Sequence, residues 1–152
     1  MALMAAREHP PRSMTVLVQL EVADRLVAEA GTRAWGPLSI SVQSAYRGAR
    51  VRTVGPQNFW PRPKVDSAVV RFERLDELPP LALRERRVSL VARLFQRRRQ
   101  ALGRVVGEIL GDRARAGTLL EGLQIEPRRR AETLSMDELE ALARAMQPSE
   151  LD

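Results

Sequence analysis

Apolar and polar positions follow two different periods along this chain, and the change of period falls at a proline pair. Thr15-Val16-Leu17-Val18 is a short, largely β-branched apolar run and predicts a buried strand. Ala23, Leu26, Val27 and Ala30 recur at helical spacing, which predicts a helix over 21–30 with Gly31 as its C-terminal cap. Residues 38–42 alternate Leu, Ser, Ile, Ser, Val as a strand would, yet Pro37 can also open a helix at its first position. Arg and Val alternate over 50–54, predicting a strand with one basic face, and 67–72 predict the next strand.

Leu78-Pro79-Pro80 is the clearest linker, and the pattern turns helical after it. Over 84–110, Val88, Val91, Leu94 and Phe95 form one apolar face, and Leu102, Val105, Val106 and Ile109 form a second. A short helix is expected over 114–122. Ser135-Met136-Asp137-Glu138 reads as a capping box, with Leu134 and Leu139 spaced as a hydrophobic staple. Ahead of all this, 1–8 could form a helix that ends at Pro10-Pro11.

One segment fits neither period. Asn58-Phe59-Trp60-Pro61-Arg62-Pro63-Lys64 sets an aromatic pair, read as exposed, among prolines that fix φ and remove backbone donors. A stiff loop of this kind can hold an aromatic face beside a sheet with cations at hand. A nucleobase stacks on such a face while its phosphate meets Lys or Arg.

Charge strengthens that picture. The 152 residues carry a formal net charge of +6, and Lys64 is the only lysine. Thirteen arginines face five acids over 84–130, and seven cations face two acids over 47–74. Clustered arginine is the footprint of a phosphate-backbone partner, although solvated helix faces produce the same count. There is no cysteine and only one histidine, His9, so disulfides, thiolate metal sites and a zinc cluster are excluded. No apolar run approaches the roughly 20 residues of a membrane helix. A cytoplasmic protein without membrane or metal is expected.

Phe-x-Pro-x-Pro-Lys-Val-Asp-Ser-Ala-Val-Val, at 59–70, resembles the late motif of the ribosomal RNA adenine dimethyltransferases. MTVLVQLEVADRL at 14–26, GTRAWGPLSISVQ at 31–43, FQRRRQAL at 95–102 and LQIEPRRRAETLSMDELEALARAM at 123–146 resemble further segments of that family, in the same order. The resemblance implies an α/β plus all-α chain. Residues 1–78 would be the C-terminal portion of a Rossmann-like methyltransferase sheet, and 79–152 a helical rRNA-binding domain. It also implies a helix, not a strand, after Pro37.

The implied activity is transfer of methyl groups from S-adenosylmethionine to N6 of adjacent adenines in small-subunit rRNA. Phe59 matches the family's aromatic that stacks on the target adenine. Lys64 and Arg62 are the expected phosphate contacts of the loop, and Arg93, Arg97, Arg98, Arg99 and Arg104 match the rRNA-contacting helix. Arg130 falls in a turn, where an ion pair with Glu126 or Glu132 is an alternative. The family's Gly-rich loop and Asn-Leu-Pro-Tyr motif have no counterpart in this sequence. No S-adenosylmethionine is therefore expected to bind this chain alone, and the isolated chain is expected to be inactive. The expected partners are small-subunit rRNA or the immature small subunit, and an N-terminal half supplied from elsewhere. The alternatives are a non-catalytic rRNA-binding or ribosome-assembly factor and, less well matched, an arginine-rich DNA-binding module.

Overall fold

The computed structural model describes residues 2–151. A short helix α1 (Ala2–Ala5) precedes strand β1 (Ser13–Gln19), helices α2 (Leu20–Leu26) and α3 (Pro37–Gln43), and strands β2 (Tyr46–Val54) and β3 (Ser67–Arg74). Helices α4 (Leu81–Gln96), α5 (Leu102–Leu110), α6 (Arg113–Gly122) and α7 (Met136–Ala145) follow. The sheet order is β1-β3-β2, and both pairings are antiparallel.

Only one face of the sheet is covered. Ala68, Val70 and Phe72 of β3 pack with Ala23 and Leu26 of α2, Val42 of α3, and Tyr46. On the opposite face Leu17 pairs with Val69 and is 51% exposed. The expectation of a buried β1 is thus half right: its alternate residues face solvent, because no helix among the described residues lies over them. Burying a leucine is worth about 1.5–3 kcal/mol, so Leu17 forgoes much of that here.

A bulge between Arg50 and Arg52 changes the expected basic face of β2. Arg50 pairs across from Val70, on the covered side, and its Nη1 lies 3.0 Å from Asp24 on α2. Arg52 pairs across from Val69, on the open side. The two cations therefore point to opposite faces. Gly48 sits opposite Phe72, where an added Cβ would come within 2.6 Å of the ring, so the close approach of β2 to that ring requires glycine.

Helix α2 stops at Leu26, four residues short of the expected end. Its last carbonyls are satisfied from α3: Gln43 Nε2 donates to Leu26 O and Ala28 O, and Ser39 Oγ donates to Arg25 O. Gly31 has the positive φ of 82° but lies in the following loop, where its N–H donates to Glu132 O. The segment after Pro37 is a helix, as the resemblance implies, with Pro37 at its first position.

The larger core is helical. Leu83, Leu90, Val91 and Leu94 of α4 pack with Leu102 and Val106 of α5, Leu120 of α6, and Leu139 and Leu142 of α7. Trp35 and Ile40, ahead of the proline linker, also belong to this cluster, so α3 contributes to both cores. Ser135 and Glu138 form the predicted capping box, and both staple leucines are fully buried. Two buried arginines join the layers. Arg84 donates to the carbonyls of Ala5, Arg7 and Pro79, and Arg87 pairs with Glu140 at 2.9 Å.

Candidate nucleic-acid interface

The proline-rich loop connects β2 to β3. It opens with a 3-10 turn at Pro56–Asn58, in which the Asn58 side chain donates to Gly55 O. Its far end is tied down by the Leu20 N–H, which donates to Asp66 O at 2.9 Å. The Asp66 backbone carbonyl thus helps to close the loop. Phe59 has extended backbone, is half-buried, and belongs to neither hydrophobic cluster. It is not an ordinary core aromatic. Trp60, next to it, is 96% exposed. Only Trp60 of the pair is fully open, against the reading of both rings as exposed. Arg62 and Lys64 are exposed and carry no ion pair among the described residues.

A cleft of about 850 Å³ lies between α2, the 31–34 loop and the helical layer. Arg25, Arg33, Arg98, Arg99 and Arg130 line it, together with Glu21, Asp24 and Glu132. Glu21 is taken by Arg25 and Asp24 by Arg50. Arg33, Arg98, Arg99 and Arg130 have no ion-pair partner among the described residues, and neither does Glu132, which leaves the cleft basic. A shallower groove lined by Gln19, Leu20, Pro56, Lys64 and Val65 shares Glu21 and Asp24 with the cleft. The base of the loop, at Pro56 and Lys64, and the arginines thus adjoin across Glu21 and Asp24 of α2; Phe59 and Trp60 line neither the cleft nor the groove.

The other predicted arginines are placed differently. The run 97–99 is not on a helix: α4 ends at Gln96, and the chain turns back to α5. The turn is held from the far side, where the Leu102 N–H donates to Arg129 O and the Gly103 N–H to Pro127 O. One continuous helix over 84–110 would forfeit those bonds. Arg93 donates to Glu150 O at 3.0 Å, and Arg104 pairs with Glu108 on its own helix. In the 128–130 run it is Arg129, not Arg130, that makes an ion pair. It grips Glu138, with Nη2 to Oε2 at 2.9 Å. The hydrogen bond from Arg129 holds the Glu138 carboxyl below the usual glutamate range. The sequence reading missed Arg33, because an isolated arginine in a loop carries no pattern; only the fold brings it beside Arg98.

The arginine-lined cleft does not suit S-adenosylmethionine, which the resemblance implies. The cofactor carries a sulfonium cation and needs an apolar slot for its adenine. This cleft is walled by four arginines without an ion-pair partner among the described residues, with only Gly31 and Ala34 as apolar lining. Among the described residues there is also no group of three metal-ligating side chains, and no helix is long and apolar enough to cross a membrane.

A small sheet followed by a helical layer, arranged as here, occurs within two solved methyltransferase structures, as the remnant of a Rossmann-like sheet would. A dimethyladenosine transferase from Plasmodium falciparum superposes with a TM-score of 0.77 at 19% identity, over 91% of this chain and 58% of that one. The 23S rRNA methyltransferase ErmE does so with a TM-score of 0.63 at 22% identity, over 93% and 57%. The chain belongs to the ribosomal RNA adenine dimethylase family, which it matches over residues 1–147. Curated relatives include the ribosomal RNA small subunit methyltransferase A of Desulfitobacterium hafniense, 44% identical over 136 residues, and that of Geobacillus thermodenitrificans, 37% identical over 145. These alignments take in 88% and 91% of this chain and 49% of each relative, so the chain spans about half the length of the relatives it matches.

Proposed function

We propose that this chain is the rRNA-recognition portion of a small-subunit rRNA adenine N6,N6-dimethyltransferase, acting in the cytoplasm on the immature small subunit. In this reading Phe59 stacks on one face of the target adenine, and Lys64 and Arg62 take its flanking phosphates. Arg97, Arg98 and Arg99 hold the RNA backbone further along, joined by Arg33 and Arg130. Arg93 and Arg104 play a lesser part, since each guanidinium is already engaged within the chain. The observation that carries the proposal is the adjacency, across Glu21 and Asp24, of the Lys64 end of the aromatic loop and four arginines that have no ion-pair partner among the described residues.

The cofactor site and the groups that make N6 nucleophilic would lie outside these 152 residues, in an N-terminal half. The chain alone would then bind rRNA without transferring methyl groups. The misfit of the cofactor also suits the second reading, a non-catalytic rRNA-binding or assembly factor. The two readings differ in whether adding an N-terminal half, in cis or in trans, restores methylation.

Binding to the hairpin from the 3′ end of small-subunit rRNA, measured across salt concentrations, tests the shared part of both readings. R98Q/R99Q should weaken binding and lower the slope of log K against log salt by about 1.5, from a loss of roughly 0.7–0.9 per phosphate contact. A slope unchanged from wild type would remove the cleft from the RNA interface.

A further inference from the structure

Trp60 has no structural work to do. It is 96% exposed, while Trp35, the only other tryptophan, is 5% exposed and sits in the helical core. An indole left wholly in water gains nothing from folding, so the fold gives no account of this residue. Its neighbours indicate a partner. Residues 47–65 contain Arg47, Arg50, Arg52, Arg62 and Lys64 and no acid at all. Of these, only Arg50 is held in an ion pair among the described residues. An apolar ring in so basic a segment fits an anionic partner with flat apolar faces, which describes an unpaired nucleotide.

The surroundings separate this ring from Phe59. Phe59 has extended backbone, with φ −127° and ψ 149°, and is half-buried, whereas Trp60 stands almost wholly in water. The two form no ring pair with each other. A half-buried ring and a fully open ring offer two separate faces to a partner.

We propose that Trp60 is a second stacking platform, which takes an unpaired nucleobase other than the one held by Phe59. Arg62 and Lys64 neutralise the phosphates between the two. The loop then reads two splayed bases of a single-stranded RNA segment. This rests on the rRNA reading above and assigns to Trp60 a role that reading does not require.

Tryptophan fluorescence tests it directly, because the two indoles differ so sharply in exposure. In the free chain acrylamide should quench one of the two emitting populations freely. The small-subunit rRNA hairpin is titrated in, and binding is followed independently by anisotropy of end-labelled RNA. Bound RNA should quench the exposed population and shield it from acrylamide, whereas a blunt duplex of the same length should leave it accessible. W60F should bind within about twofold of wild type, and W60A should bind about 5- to 150-fold more weakly. Retained Trp35 emission in W60A shows that the fold is intact. If the hairpin binds wild type and W60A equally and leaves Trp60 accessible, Trp60 takes no base and the rRNA reading stands without it. If Trp60 is already shielded in the free chain, it is covered by protein and the proposal is wrong. If no hairpin binds at all, both readings fall.

Discussion

Arg84 and Arg87 are 3% and 2% exposed, while Arg98 and Arg99 in the same half of the chain are open to solvent. Counting arginines cannot tell these groups apart. Arg84 satisfies three carbonyls of the N-terminal segment and linker, and Arg87 bridges α4 to Glu140 on α7 and to Ser44 O. Burial pushes the Arg87 pKa down, against the opposing pull of Glu140. R87A removes a buried guanidinium bonded to Glu140 and Ser44 O, while Glu140 keeps Arg144, so it should lower unfolding stability by about 1.5–3 kcal/mol. R144A strips an exposed pair from the same glutamate and should cost no more than about 0.5 kcal/mol. Urea titrations of the two variants measure the difference. Equal losses would show that Arg87 does not join the layers. The unpaired arginines remain for a partner, and they are recognised only by subtraction, once the fold has claimed the others.

At the scale of elements, the sequence was most legible where a local rule fixes the answer. The capping box of α7 and the linker at Pro79-Pro80 follow from neighbours in sequence, whereas the alternation after Pro37 reads as a strand and only the family resemblance implies the helix found there. The sequence was least legible where a distant group decides. Helix α2 ends early because Gln43 and Ser39 take its carbonyls, and the arginine run turns because the Pro127 and Arg129 carbonyls hold Leu102 and Gly103. The aromatic loop and most of its cations could be read from the chain, but the cleft that Arg33 and Arg130 complete could not. The start of α7 offers a test by pH. Glu138 accepts from Arg129 and from the Ser135 N–H, and its folded pKa lies below the unfolded value of about 4.3. Its contribution to stability is therefore fully present above pH ~4.3 and is lost as the pH falls through the folded pKa. E138Q should be less stable than wild type at pH 7, and the gap should close on acidification. Thermal unfolding of both proteins between pH 7 and 3 tests this; a constant gap would contradict it.

For the whole molecule, the sheet has two edges of different character. The outer edge of β2 carries Arg47, Arg50 and Arg52, which discourage pairing with another strand. The edge at β1 has no charge from Ser13 to Gln19, and Leu17 is half-exposed on the open face beside it. An uncharged edge next to an uncovered apolar face invites another chain. The isolated protein should associate as its concentration rises, and L17K should shift it toward monomer. Sedimentation velocity over a hundredfold concentration range reads both. A monodisperse wild-type monomer throughout would mean that the open face needs no cover.

These features support the proposal of a body that grips rRNA and leaves the methyl donor to residues outside it. Calorimetric titration of the purified chain with S-adenosylmethionine, run beside titration with the small-subunit rRNA 3′ hairpin, tests that proposal most directly. Binding of the hairpin with no heat from the cofactor is the predicted result. Saturable cofactor binding to this chain would contradict the account, because it would put the donor site among residues that the proposal gives to recognition.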